Sequence, residues 1–464
     1  MRRREMLKSL GLGALAASVG RPAPLSAADA EEIRGRVNTH SEPSKLRITD
    51  LRVAPCMRSY IVRLDTNQGI SGYGEIRDGA SPTYALMLKS RLLGENPCNI
   101  DKIFRKIRQF GGHARQAGGV VAVEMACCDL AGKAWGVPCW QMLGGKFRDR
   151  IRLYADTPTL RDPKRMGEQL KERRDKGFTF LKMDLRLSVL WGTEGALTYP
   201  QGVDPYAEHS ALAHPFTGIR ITDKGLKALQ EYVGAVRDIV GWDIPLAADH
   251  FGHIGIEDAI KIAQALDPFN LAWLEDLIPW FYTDDYVRLR QSCKTPILTG
   301  EDIYLKEGFL PLFEKKAISI CHPDLATAGG LLETKKIGDL AMEHGISMAM
   351  HMAGTPVALF ASVHCAAATE NFLVLEHHGA DIRYYDDLAK GVPKPLMGKD
   401  GFVQAPNGPG LGVELNEEAI KERLRRIGRD PDKVFFPPTD QWDRERSHDR
   451  LWSRAWDAED RAIA

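Results

Sequence analysis

Apolar and polar positions follow two different rhythms along the chain. Residues 46–54 and 59–65 are rich in β-branched side chains, and Asn67-Gln68-Gly69 supplies a turn before residues 70–75. From about residue 82 to residue 143, apolar residues recur at three- and four-residue spacing, which is typical of helices. The pattern predicts that residues 44–150 form an α+β domain, with two strands of a small antiparallel sheet followed by helices.

After Gly144-Gly145 the rhythm changes to short apolar runs that are each followed by a helical stretch. Their lengths suit buried parallel strands, and the helical stretches supply the crossovers. Eight such units favour a closed barrel over an open sheet, which makes the fold class α/β with a TIM-type barrel over residues 151–390. The predicted strands are residues 151–155, 178–183, 244–248, 271–274, 296–299, 317–321, 346–350 and 372–375.

Two segments stand apart from this repeat. Residues 185–220 are long, rich in Gly, Pro and aromatic residues, and not clearly helical, which indicates either a lid with polar side chains or a surface insertion. Residues 391–464 begin Pro- and Gly-rich, become helical at 416–428 and end in a charged, Trp-bearing tail. We assign them to a C-terminal segment that returns to the first domain.

The charge balance narrows the kinds of partner. Lys plus Arg equals Asp plus Glu, at 62 each, so no global field attracts nucleic acid or an anionic membrane. The eight cysteines show no Cys-x-x-Cys and no Cys/His finger spacing, which leaves zinc and redox motifs unsupported. A small-molecule substrate is therefore the expected partner.

The amino terminus is predicted to be a targeting segment. Arg3-Arg4-Glu5-Met6-Leu7-Lys8 precedes a weakly apolar, Gly- and Ala-rich stretch, a pattern that fits a twin-arginine signal peptide over residues 1–30. The stretch is too short to span a bilayer in the mature protein, and no other segment is long and apolar enough. The expectation is export to the periplasm; the alternative is a disordered basic tail or a retained anchor.

Three carboxylates follow consecutive predicted strands. The third and fourth predicted strands are followed directly by Asp249 and Glu275, and the fifth is followed by Glu301 after one glycine. Each carboxylate comes 26 positions after the one before it. The carboxyl ends of barrel strands form one mouth, where buried carboxylates repel each other unless a cation joins them. Oxygen ligands with room for water and substrate suit Mg²⁺. The alternative is that each acid caps the following helix.

A base and a lysine belong to the same mouth. Asp324 follows the sixth predicted strand and His351 ends the seventh, so the carboxylate can fix the tautomer of the imidazole and raise its basicity. Lys182 and Asp184 lie two residues apart on one face of the second strand. Lys182 then stabilises a developing enolate, unless it forms a buried structural salt bridge.

Several segments together resemble the mandelate racemase/muconate lactonizing enzyme group of the enolase superfamily, from about residue 46 to 415. These segments are Gly69-Ile-Ser-Gly-Tyr-Gly74-Glu75, the helix-to-barrel junction Glu124-Met-Ala-Cys-Cys-Asp129, Trp273-Leu-Glu275-Asp276, Thr299-Gly300-Glu301 and Pro323-Asp324-Leu-Ala-Thr-Ala-Gly329-Gly330. The resemblance implies a modified (β/α)₇β barrel closed by an N-terminal α+β capping domain, and a homo-oligomeric assembly.

The resemblance also assigns roles. It implies Mg²⁺ on Asp249, Glu275 and Glu301, and a His351–Asp324 dyad that removes the proton α to a carboxylate. Glu376, at the end of the last strand, would bind or polarise that carboxylate. Specificity would come from the capping domain, through Arg58, Tyr60 and residues 77–84.

One difference from the group's sequence pattern indicates which type of reaction the chain catalyses. Racemases of this group carry Lys-x-Lys in the second strand, whereas this chain reads Lys182-Met183-Asp184. Loss of the second lysine favours β-elimination of water over two-base proton transfer. The acid for the departing hydroxyl is then His351 itself, His250 or His253, while Asp184 accepts a hydrogen bond from a substrate hydroxyl or acts as a structural partner.

The sequence therefore predicts a Mg²⁺-dependent dehydratase that converts a sugar acid to a 2-keto-3-deoxy acid. A racemase or epimerase of a hydroxy acid is the nearer alternative, with Asp184 or a lid residue as second base. The alternative of another class is a non-catalytic exported binding or scaffold protein that kept the barrel.

Overall fold

The computed structural model describes residues 41–112, 114–199, 218–249 and 254–444. Four predicted features lie wholly or partly outside these ranges: the targeting segment at 1–30, half of the proposed lid, His250 with His253, and the end of the charged tail. Export and the role of His253 therefore stay predictions. Among the described helices, none combines the length and the apolar character needed to cross a membrane.

The N-terminal domain contains an antiparallel sheet of three strands, β1 (Ile48–Cys56), β2 (Ser59–Thr66) and β3 (Ser71–Ile76), in that order. The segment after the Gly69 turn thus adds a third strand to the two predicted. Strand β3 approaches helix α4 so closely that a Cβ at Gly74 would lie 1.9 Å from the carbonyl oxygen of Ala122. The helices are α1 (Thr83–Leu86), α2 (Lys89–Leu92), α3 (Ile100–Ile107), α4 (Gly118–Trp135) and α5 (Cys139–Met142).

Eight parallel strands form the closed barrel that the repeat predicted. Each pairs with its neighbour in chain order, and the last pairs with the first through Glu376 and Tyr154. Apart from a short antiparallel pair, β6 (Leu197–Thr198) with β7 (Arg220–Ile221), the barrel strands are β4 (Arg150–Ala155), β5 (Leu181–Asp184), β8 (Leu246–Asp249), β9 (Leu274–Glu275), β10 (Ile297–Thr299), β11 (Ile320–Cys321), β12 (Ser347–Met350) and β13 (Phe372–His377).

Helices follow the first seven barrel strands, whereas β13 leads into short 3₁₀ turns, so the (β/α)₇β form is confirmed. The helices are α6 (Pro163–Asp175), α7 (Asp223–Val240), α8 (Ile256–Leu266), α9 (Thr283–Ser292), α10 (Leu305–Glu314), α11 (Leu325–Ala328) with α12 (Gly330–Glu343), and α13 (Pro356–Ala368). The interior is packed by one buried residue from each strand or its approach: Tyr154, Phe180, Ala247, Trp273, Leu298, Ile320, Ala349 and Val374.

Carboxylates of the N-terminal domain bind the amino termini of two barrel helices. Glu124 on α4 accepts hydrogen bonds from the backbone N–H groups of Leu331 and Leu332 at 2.8 and 3.0 Å. Glu75 on β3 accepts from the N–H groups of Thr355 and Ala358 and from the Thr355 hydroxyl. Because helix amino termini present unpaired N–H groups and a partial positive charge, these contacts hold the domain over the barrel.

The C-terminal segment contributes β14 (Ala389–Lys390), β15 (Phe402–Gln404), β16 (Glu414–Leu415), α14 (Glu417–Arg426) and α15 (Pro431–Val434). Strand β15 pairs antiparallel with the beginning of β4. Further on, the ring of Phe436 packs against Tyr73 of β3 and under the guanidinium of Arg63. The segment therefore contacts both the barrel and the N-terminal sheet.

Candidate active site

The strand register brings the predicted site residues to one end of the barrel. Asp184 pairs with Asp249 across β5 and β8, and Asp324 forms an isolated parallel bridge with His351. All the described residues with predicted catalytic or metal-binding roles are buried. Buried charges are costly unless they are paired, so the pairing pattern shows how this mouth is held together.

Lys182 lies among the carboxylates of three other strands. Its Nζ is 2.6 Å from Oδ2 of Asp249 and 2.8 Å from Oε1 of Glu376. Burial by itself lowers the pKa of Lys182, but the charges of Asp249 and Glu275 outweigh it and raise that pKa well above its usual value. A fixed ammonium group therefore stands where a substrate carboxylate or an enolate oxygen would gain from it.

The predicted base and its orienting acid are in direct contact. Nδ1 of His351 is 2.5 Å from Oδ2 of Asp324, so the imidazole donates through Nδ1–H and presents Nε2 to the mouth. Nε2 is 2.9 Å from Oε2 of Glu301 and 3.6 Å from Oε2 of Glu376. Burial lowers the pKa of His351, but Glu301 and then Glu376 outweigh burial and raise it well above its usual value. A cation held by Glu301 would offset the first of these charges and favour the neutral imidazole that a base requires.

Arg77, from the N-terminal domain, reaches the same pair. Its Nη1 is 3.2 Å from Oδ2 of Asp324 and donates to the Thr327 hydroxyl at 2.7 Å and to the Glu301 carbonyl at 3.0 Å. Burial raises the pKa of Asp324, but Arg77 and then His351 outweigh it and lower that pKa. From the sequence, residues 77–84 are expected only to set specificity, because nothing in the local pattern connects Arg77 to a residue 247 positions further on.

Glu275 is held by Trp273 and His322, and Tyr154 lies behind His322. None of these three residues was selected from the sequence. The Trp273 indole N–H donates to Oε2 at 3.0 Å, and Nδ1 of His322 is 2.8 Å from Oε1. Nε2 of His322 in turn lies 2.9 Å from the Tyr154 hydroxyl. Burial lowers the pKa of His322 to about 3, which keeps the ring neutral. The sequence could have indicated Trp273 as a neighbour of Glu275, because residues two positions apart share one face of a strand.

The oxygen-rich part of the mouth fits a hard divalent cation. One carboxylate oxygen each from Asp249, Glu275 and Asp276 lie within 4.8 Å of one another. Burial, and next the charge of Asp249, raises the pKa of Glu275 well above its usual value, a conflict that a cation would relieve. The Glu301 carboxylate faces His351 and Arg77 in this arrangement. Asp276, which the sequence analysis left without a role, is thus part of the oxygen cluster.

The three residues predicted to bind the substrate lie in different surroundings. Arg58 lines a cavity of about 750 Å³ beside the mouth, together with Asp78, Asp156 and His378. Tyr60 lies in β2, paired with Pro55 and Ile76, and is partly buried against the core. Asp184 is buried, and burial followed by Asp156 and Asp249 raises its pKa to about 9. Its carboxyl group is therefore mostly neutral near pH 7, which suits a hydrogen bond better than proton abstraction.

The geometry can be compared with known proteins. A family model described as mandelate racemase / muconate lactonizing enzyme, N-terminal domain, matches residues 31–144, and one described as enolase C-terminal domain-like matches residues 165–419. The chain belongs to the enolase superfamily. Its mandelate racemase/muconate lactonizing enzyme group, predicted from the motifs, is thereby confirmed.

Named relatives of this enolase-superfamily chain are dehydratases. It is 32% identical over 390 residues to D-xylonate dehydratase of Haloferax volcanii, covering 81% of this chain and 89% of that one. It is 28% identical over 394 residues to D-galactonate dehydratase of Variovorax paradoxus, covering 82% and 94%. A crystal structure of a mandelate racemase/muconate lactonizing enzyme-like protein from Rubrobacter xylanophilus superposes with a TM-score of 0.73 at 30% identity, covering 84% of this chain and 99% of that one.

Proposed function

We propose that this enolase-superfamily member is a Mg²⁺-dependent dehydratase of a sugar acid, forming a 2-keto-3-deoxy acid. The observation that carries the proposal is the 2.5 Å contact between His351 and Asp324, with Nε2 of His351 directed into a mouth that also holds Lys182 and Glu376. A positioned base beside fixed positive charge suits removal of a proton α to a carboxylate. The dehydratase names of the relatives favour elimination as the next step.

Each residue has a defined task in this proposal. His351 takes the α-proton on Nε2, and Asp324 stabilises the resulting imidazolium through Nδ1–H. Lys182 donates to the carboxylate as negative charge develops, and Glu376, ion-paired to Lys182 at 2.8 Å, fixes the position of that ammonium group. Asp249, Glu275 and Glu301 would hold Mg²⁺, with Asp276 close enough to assist, and a cation there supplies Lewis-acid stabilisation of the negative charge.

The racemase alternative needs a second base on the other side of the α-carbon. Asp184 occupies the predicted position, but its raised pKa of about 9 leaves it protonated near pH 7. A protonated carboxyl group cannot abstract the proton. One base at His351 and a neutral group at Asp184 therefore fit elimination better than two-base exchange.

The test is incubation of the purified protein with Mg²⁺ and a sugar-acid library that includes D-xylonate and D-galactonate, followed by a 2-keto acid assay. The α-proton exchange in deuterated water is measured in parallel. We expect keto acid from at least one sugar acid and loss of both reactions in His351→Asn. Exchange without keto acid would make the chain a racemase or epimerase. Neither reaction across the library would favour the binding or scaffold alternative.

A further inference from the structure

His378 follows the last barrel strand and lies directly beside the predicted base. Its Nε2 is 3.5 Å from Oε1 of Glu376, while Nε2 of His351 is 3.6 Å from the other oxygen of the same carboxylate. The two imidazole rings meet edge to face with centroids 5.8 Å apart. One nitrogen of each ring and one Glu376 oxygen all lie within 4.8 Å of one another. Glu376 therefore lies within 3.6 Å of both histidines, which are themselves neighbours.

The two histidines differ in their access to substrate. The His351 side chain is 6% exposed, whereas that of His378 is 31% exposed and lines the cavity with Arg58 and Asp156. Burial lowers the pKa of His378, but the Glu376 carboxylate beside it outweighs burial and raises that pKa. A histidine that keeps its proton and borders the cavity is suited to donate it.

The proposed elimination leaves one task unassigned. A hydroxyl group is a poor leaving group and needs a proton as its bond to carbon breaks. We propose, on the basis of the proposed dehydratase function, that His378 is the general acid that protonates the departing β-hydroxyl. Because β12 and β13 are neighbours, His351 and His378 approach the substrate from the same side, which makes the elimination syn.

The step balances with these two residues. His351 takes the C2 proton, and the C2–H electron pair is delocalised into the carboxylate as an enolate. That pair then forms the C2=C3 double bond as the C3–O bond breaks with its own pair on oxygen. A ring N–H of His378 supplies the proton that completes the water molecule. The enol then becomes the ketone, its O–H proton restoring His378 while the proton on His351 passes to C3.

The test separates proton removal from loss of the hydroxyl. Wild type, His378→Asn and His351→Asn are compared with Mg²⁺ on the sugar acid that wild type dehydrates. His378→Asn should lose about 10²- to 10⁴-fold in keto acid formation while α-proton exchange in deuterated water persists. His351→Asn should lose both. His344→Asn is the matched control, since His344 follows α12 and precedes β12, at the end of the barrel away from the mouth.

A substrate with a different leaving group removes the need for the acid. On the 3-deoxy-3-fluoro analogue of the same sugar acid, His378→Asn should react nearly as fast as wild type, because fluoride departs without a proton. If His378→Asn only damaged the structure, its reactions with both substrates would be slowed equally. That result would overturn the proposal. His378→Gln provides a second variant if the asparagine one does not fold.

Three further outcomes would also overturn it. If wild type and His378→Asn dehydrate at equal rates, the acid is elsewhere although the proposed function stands. If Asp184→Asn shows the selective loss instead, the acid lies on β5. If wild type gives neither keto acid nor exchange, the proposed function itself fails.

Discussion

Nη1 of Arg77 lies 3.2 Å from Oδ2 of Asp324, although Arg77 follows a strand of the N-terminal sheet and Asp324 follows a barrel strand. The same Asp324 oxygen is 2.5 Å from Nδ1 of His351. The dyad is therefore a three-residue arrangement built by both domains. It also explains why Asp324 can stay ionised while almost fully buried.

Replacement of Arg77 by Met should impair catalysis more than binding. Asp324 would lose its cation and His351 its fixed orientation, and a small misplacement of a catalytic group can cost about 100-fold in kcat. Steady-state kinetics on a dehydrated sugar acid should show that loss with little change in KM. Arg77→Lys should recover part of the rate because one donor remains.

Arg105→Met is the matched control, since Arg105 is an exposed arginine on α3. It should leave kcat unchanged. Equal rates for Arg77→Met and wild type would contradict a positioning role.

Tyr154→Phe should weaken Mg²⁺ binding without removing any carboxylate. The hydroxyl orients His322, which holds Glu275, and loss of such an outer partner typically lowers metal affinity 10- to 100-fold. We expect about a 10-fold rise in the Mg²⁺ Kd by isothermal titration calorimetry. Tyr232→Phe, which removes a hydroxyl bonded to the Leu160 carbonyl and not to any residue of the oxygen cluster, should bind Mg²⁺ like wild type.

Glu75 should make the folded state less stable as the pH rises through neutrality. Burial raises its pKa from 4.5 to about 7 despite the hydrogen bonds from Thr355. Between those values the folded chain binds more protons than the unfolded chain, so the free energy of unfolding falls with rising pH, by about 3 kcal/mol from this group.

Urea unfolding of wild type and Glu75→Gln between pH 4.5 and 8 measures how much Glu75 contributes to the pH dependence of the free energy of unfolding. The variant should be less stable overall, because an amide N–H₂ meets N–H donors, but its stability should fall less with pH. Glu314→Gln, at an exposed helix end, should keep the wild-type slope. Parallel curves for wild type and Glu75→Gln would contradict the prediction.

Gly330→Ala should destabilise the junction between the domains. Gly330 has φ +89°, and a Cβ there would lie 1.9 Å from Oε2 of Glu124, the carboxylate that caps α12. Gly345 has φ +70° with nothing near its Cβ position, so Gly345→Ala should cost only about 1 kcal/mol. We expect Gly330→Ala to cost about 3 kcal/mol or more by chemical unfolding, since it adds overpacking and a displaced buried carboxylate. If Gly330→Ala and Gly345→Ala lowered the free energy of unfolding equally, the Glu124 side chain would be shown to move aside without cost, contrary to the prediction.

The catalytic strands were visible in the sequence because barrel strands are local. Each is a short apolar run, and Asp249, Glu275, Asp324 and His351 stand at or just beyond such runs, so strand order alone predicts that they share one mouth. The (β/α)₇β form and the family followed from motifs that are also contiguous. The third strand of the N-terminal sheet was missed because a six-residue segment with two glycines carries a weak strand signal, and only packing against α4 accounts for those glycines.

Contacts between distant segments were decided by the tertiary structure. Arg77 on Asp324, Tyr154 behind His322, and Glu75 and Glu124 on helix amino termini each join residues more than 150 positions apart. No local periodicity encodes such a pair, because it depends on how the two domains pack. The sequence by itself determined which residue types stand at the barrel mouth; the fold decided which of them touch, and therefore which carboxylates are paired and which histidine lies beside the base.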